Sequence, residues 1–123
     1  MKTIISLTSI PSRFKTLPAI VYDLEKNQDV DEIWVNIPYK YNRFPDAEVV
    51  VPDFSMCSKV RLNRCEDYGP GTMYMGPAHA ENCDADLVVV VNDDTKYPTD
   101  LTRKLVQLYE EDKSCWCLSG FKV

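Results

Sequence analysis

The stretch "LVVVVNDDTKYP", residues 87–98, passes abruptly from a fully apolar run to an amide and two carboxylates. An apolar run without polar alternation fits a central strand of a parallel sheet, covered on both faces. Asn92, Asp93 and Asp94 then stand at the carboxyl end of that strand. In open α/β sheets, ligands bind beyond the carboxyl ends of the strands, where the strand order reverses.

Working outward, "TIISLT" at 3–8 reads as a short buried strand, broken by the proline and turn-forming serines of "SIPSRF". Leu17, Ile20, Val21 and Leu24 recur at helical spacing, which predicts a helix over about 15–27, with Pro18 tolerated only in its first turn. "EIWVNIP" at 32–38 is a second strand closed by Pro38. Residues 39–58 read as a long surface loop, with a short edge strand at 48–51, "EVVV". "KVRLNRC" at 59–65 is a third strand, and "DYGPGT" at 67–72 is a glycine-proline turn. A short helix over about 72–82 is interrupted at Pro77, and another over about 99–111 is capped by Thr99 or Asp100. "CWCLSGF" at 115–121 supplies a fifth strand. Alternation of strand and helix predicts an α/β fold, a mostly parallel sheet flanked by helices in one domain spanning 1–123. If the first strand and the apolar strand are neighbours, the "SIPSR" and "NDD" turns face one crevice.

The totals exclude several function classes. The 123 residues are 45% hydrophobic and 27% charged, the profile of an ordinary globular domain. A net charge of -5 with scattered basic residues leaves no electrostatic footprint for nucleic acid. No segment approaches the roughly 20 apolar residues of a membrane span, and residues 1–10 lack the cleavage site of a signal peptide. Five cysteines without a secretion signal read as free thiols in a reducing compartment, so a cytoplasmic location is expected. Cys115 and Cys117 would share one face of a strand, as small core hydrophobes rather than metal ligands.

Adjacent carboxylates crowd negative charge, which a bound cation relieves. Mg2+ or Mn2+ takes one or two side-chain oxygens and fills its remaining positions with water and phosphate oxygens. Adjacency alone favours instead a solvated turn in which Asp94 caps the next helical stretch. Beyond this, "VVVVNDDTKYP" resembles the aspartate-rich DxD segment of nucleotide-sugar glycosyltransferases with the Rossmann-like GT-A fold. "ISLTSIPSRF" is similar to the nucleotide-contacting turn of a subgroup of these enzymes, and "DYGPGT" to that subgroup's middle motif. The three occur in the family's order across most of residues 3–98.

The resemblance implies a donor of UDP or GDP type bound with Mn2+ or Mg2+. It implies that Thr8, Ser9, Pro11 and Arg13 line the base and ribose pocket, with Arg13 also near phosphate. Asp67 would contact base or sugar, and Gly69 and Gly71 would allow close backbone approach. Asn92 and Asp93 would meet the ribose, Asp94 would be the principal metal ligand, and Asp93 would assist it. The chain departs from the pattern at Asn92, where the family commonly has Asp, and at Met73, where it often has lysine. An amide is a poor ligand for a hard cation. No residue is placed by motif as catalytic base. The resemblance covers only the family's N-terminal, donor-binding portion, so a non-catalytic nucleotide-binding or assembly module is the alternative. A receiver-type phosphorylation domain is excluded by position, because its paired acids would follow the first strand.

Overall fold

The computed structural model describes residues 1–117. Among them the chain forms β1 (Thr3–Thr8), α1 (Leu17–Leu24), β2 (Glu32–Pro38), β3 (Val60–Cys65), α2 (Thr72–His79), β4 (Leu87–Val90) and α3 (Leu101–Glu111). The strands form one sheet in the order β3-β2-β1-β4 with every pairing parallel. This is an α/β fold compatible with a Rossmann-like architecture.

Register assigns the two faces. Ile5 pairs with both Ile33 and Val89, and Leu7 with Val35, so these side chains share one face. That face packs on Leu17, Val21 and Leu24 of α1 and on Leu101 of α3, and forms the main core. The helical spacing of α1 serves that burial, and Pro18 sits in its first turn, where no intrahelical N–H is lost. The opposite face carries Ser6, Trp34 and Asn36 and is covered by α2. There the Asn36 amide donates to Ser6 Oγ (2.8 Å) and to the Leu7 carbonyl (2.9 Å), and its oxygen accepts from Asn63 Nδ2 (2.9 Å). Ser6 Oγ in turn donates to the Met73 carbonyl at 2.6 Å, tying α2 to the sheet.

Four expectations are corrected. Among the described residues, β1 and β2 are the interior strands and β4 is an outer one, with Val88 43% exposed. An apolar run states that a strand is attractive to bury, and the sheet order decides how far it is buried. Residues 48–51 form no strand. Val49 and Val51 instead pack onto the core from an irregular segment, whose backbone runs over the α1 side without a ladder to join. The proposed strand at 115–121 lies partly outside the described residues, and Cys115 and Cys117 are exposed rather than core. The start of α3 is capped by neither Thr99 nor Asp100. Buried Asn27 accepts the Thr102 N–H at 3.1 Å, so the cap arrives from the α1–β2 connection.

The β2–β3 crossover, residues 39–59, has no helix, and Glu25 fastens its end. The Glu25 carboxylate accepts the N–H of Ser58 (2.9 Å), the Ser58 hydroxyl (3.1 Å) and the N–H of Lys59 (3.0 Å). Partial burial works to raise its pKa, but these donors outweigh it and hold the group below its ordinary value. A lowered folded-state pKa contributes stability above the unfolded value, and the contribution is lost as pH falls through the folded value. Glu25→Gln is therefore expected to cost about 1 kcal/mol at pH 7. The gap to wild type should narrow below about pH 4. Urea unfolding at pH 7 and pH 3.5 checks this, and a gap independent of pH would show that the ionised form is not what the clamp needs. Among the described residues no helix is long and apolar enough to cross a membrane.

Candidate functional site

Because β1 and β4 are parallel neighbours, the turns that leave them lie side by side. The ladder continues one step past β4 through the Val91 N–H to the Ser6 carbonyl (3.0 Å), which brings the acidic turn level with the exit of β1. Pro11 opens a single 3-10 turn, Pro11–Arg13, whose fixed φ suits the first position of a helical turn. Its effect is to swing Arg13 back across the sheet end. Arg13 Nη1 donates to Asp93 Oδ1 at 2.9 Å and Ser9 Oγ donates to Asp93 Oδ2 at 2.6 Å. Asp93 and Ser9 are both buried, while Arg13 is half-exposed.

The two acidic neighbours thus part company. Both Asp93 oxygens have protein partners. The Asp94 side chain is 59% exposed, accepts from the Thr95 hydroxyl at 3.3 Å and stands 3.9 Å from Arg13. The N–H of Asn92 donates to the Tyr97 hydroxyl at 3.0 Å, closing the turn on itself.

The glycine-proline turn joins from the third side. Asp67 accepts the N–H of Gly69 (2.8 Å) and of Asn42 (2.8 Å), so this carboxylate holds both the turn and the long crossover. Gly69 has φ +60°, a left-handed conformation that favours glycine, and the space above Gly69 and Gly71 is open. Buried Thr72 accepts the Tyr68 N–H (3.0 Å) and donates to the Gly69 carbonyl (2.7 Å), locking the turn into α2. Tyr68 stacks on His79, the only histidine, with ring centroids 5.5 Å apart.

A cavity of about 220 Å3 lies where the three turns meet. Thr8, Ser9 and Arg13 line it from β1, Asn92 and Asp93 from β4, and Asp67, Gly69 and Thr72 from the third turn. Six of the eight sequence-predicted residues are brought together in this way. Pro11 and Asp94 stand outside the lining. Asp94 faces a second cavity of about 400 Å3, between the acidic turn and α1, which it shares with Asp93, Thr16, Asp23 and Lys96. The Thr8 hydroxyl donates to the Asn36 carbonyl at 2.7 Å, so its rim position is held by β2.

The sequence reading missed Tyr41, Arg43 and Phe44, which complete the smaller cavity from the crossover. Their signal was present as an aromatic and basic cluster in "YKYNRF", but no periodicity placed it. Tyr41 is buried, its hydroxyl donates to the Ser9 carbonyl at 2.6 Å, and burial with the nearby Asp67 carboxylate holds its pKa well above the ordinary tyrosine value. It is a neutral donor that fixes the β1 exit. Burial pushes Cys65 up to about 11, so this thiol is not a ready nucleophile.

Among the described residues no group of three or more His, Cys, Asp and Glu side chains forms a metal cage. The open carboxylate of the turn is Asp94, since both Asp93 oxygens are taken by Ser9 and Arg13. One such carboxylate suits a magnesium-type cation only where phosphate oxygens and water fill the remaining positions. No family model, no curated protein and no solved structure matches the chain.

Proposed function

We propose that this chain binds the donor of a glycosyl transfer, a nucleotide-diphosphate sugar of UDP or GDP type, together with Mn2+ or Mg2+, as in the GT-A fold. One observation carries the reading. The three segments that resemble that family's motifs, far apart in sequence, line a single cavity at the carboxyl end of a parallel sheet. A ligand crevice at that position is what such sheets offer.

In this reading the aromatic side of the cavity receives the base, and the open space over Gly69 and Gly71 admits the ligand close to the backbone. Asn92 offers an amide donor and acceptor to ribose hydroxyls. Asp93 orients Arg13 and Ser9, and Asp94 is the principal carboxylate toward the cation. When bound, the cation would offset charge on the departing diphosphate. A non-catalytic nucleotide-binding module is favoured as the second reading by one fact. Both carboxylates lining the smaller cavity, Asp67 and Asp93, are already committed to protein donors, which leaves neither as an evident base.

The test is calorimetric titration of UDP and of GDP, each with Mn2+ and with chelator. Micromolar metal-dependent binding, about -8 kcal/mol, is expected for one of them. Asp94→Ala should abolish the metal-dependent part while the protein stays folded. Retention of the metal dependence in that variant would remove Asp94 as the ligand, and no binding of either nucleotide by folded wild type would end the donor reading. Release of sugar from a bound donor separates the transferase from the binding module.

A further inference from the structure

We propose that Arg43 is the anion-binding residue of the smaller cavity, holding the ligand's diphosphate by a contact that needs no metal. The inference deepens the donor reading above and rests on it for the identity of the ligand.

Four charged side chains line the cavity: Arg13, Arg43, Asp67 and Asp93. Three of them are committed. Asp67 accepts two backbone N–H groups, and Asp93 accepts Ser9 and Arg13 while matching the charge of Arg13. Arg43 makes no ion pair among the described residues. Its guanidinium lies 5.4 Å from the centroid of the Phe44 ring, a contact that uses none of its five N–H donors in a salt link. Arg43 is thus the one charged side chain of the lining with no hydrogen-bond or ion-pair partner among the described residues, and its exposed fork is open to an anionic group.

The backbone on both sides of Arg43 is pinned. The Asn42 N–H is held by Asp67 at 2.8 Å, and the Phe44 N–H donates to the Tyr41 carbonyl at 3.1 Å. The contact with the Phe44 ring limits the freedom of the guanidinium, so less rotamer freedom is lost when the fork closes on phosphate. Ile10, Tyr41, Phe44 and Met73 make the rest of this wall apolar. An aromatic body carrying a diphosphate matches that pairing of apolar surface and planar cation. Asp94 lies outside this lining, so Arg43 acts on the diphosphate in chelator, and Asp94 adds the metal-dependent part from the neighbouring cavity.

The experiment titrates UDP, GDP and inorganic pyrophosphate into wild type, Arg43→Ala and Arg43→Lys, with chelator and with Mn2+, followed by backbone amide shifts. Arg43 is exposed, so both variants should fold, and the amide spectra verify this. In chelator, Arg43→Ala should weaken binding about 10-fold or more. Arg43→Lys should recover only part of the loss, because it keeps charge and loses the fork. Adding Mn2+ should still strengthen binding by Arg43→Ala, because the metal-dependent part is held by Asp94. Equal binding by wild type and Arg43→Ala in chelator overturns the inference, as does a folded wild type that binds none of the three probes. Arg43-dependent binding of pyrophosphate without binding of either nucleotide upholds the anion site and removes the nucleotide-sugar reading.

Discussion

Replacing Asp93 by alanine is expected to lower the unfolding free energy by about 3 kcal/mol, whereas Asp94→Ala leaves it within about 0.5 kcal/mol. The residues are adjacent and identical, so sequence offers no reason for the contrast. Asp93 is buried and receives two charge-assisted hydrogen bonds, from Ser9 at 2.6 Å and Arg13 at 2.9 Å. Such bonds contribute about 1.5–3 kcal/mol each, and the Arg13 share is discounted because that side chain is half-exposed and regains water. Ser9 has no such route, since it is buried and its hydroxyl loses its partner. Asp94 forfeits a long contact with its neighbour's hydroxyl and an exposed ion pair with Arg13 at 3.9 Å, which together contribute little. Asp93→Asn, which keeps an acceptor for Ser9, should cost about half as much as alanine. Urea denaturation of the three variants decides it. Similar losses for Asp93→Ala and Asp94→Ala would mean that Asp93 does not hold the two turns together.

Gly76→Ala should be at least as damaging, by about 3 kcal/mol, although alanine is the better helix former by about 1 kcal/mol. A Cβ at position 76 would collide with Asn36 Oδ1 and lie 2.8 Å from Asn36 Cγ. Asn36 is fully buried and cannot withdraw, because its amide is bonded to Ser6, Leu7 and Asn63 across three strands. Either α2 lifts from the sheet or this network breaks, and both exceed the gain in helix propensity. A double-mutant cycle tests the mechanism: the cost of Gly76→Ala should fall substantially when residue 36 is already alanine. Equal costs in the two backgrounds would show that the clash is not with Asn36.

Most of the fold was legible because its elements are built from local signals. The largely apolar β1 and β2, the unbroken apolar run at 87–91, the helical spacing of α1 and the proline and glycine stops place these elements within a few residues of their positions. The candidate site was legible as three turns at strand ends, and the neighbouring of β1 and β4 brings two of them together. Less of the cavity wall could be read. Tyr41, Arg43 and Phe44 reach it through an irregular crossover that has no period to betray its direction. The cap of α3 by Asn27 and the need for glycine at 76 were equally hidden, since each depends on a partner distant in sequence.

By itself the sequence determined where β1, β2, β3 and β4 lie, where the chain turns at their exits, and which polar residues stand there. These follow from side-chain period and backbone restriction, which act within a few residues. Only the tertiary structure decided that β4 lies outermost among the described residues, and that Asp93 is locked while Asp94 is open. It also decided that Arg43 is the unpaired cation of the cavity among those residues. Burial and charge compensation are properties of neighbours in space, and neighbours are set by strand order and packing rather than by position along the chain.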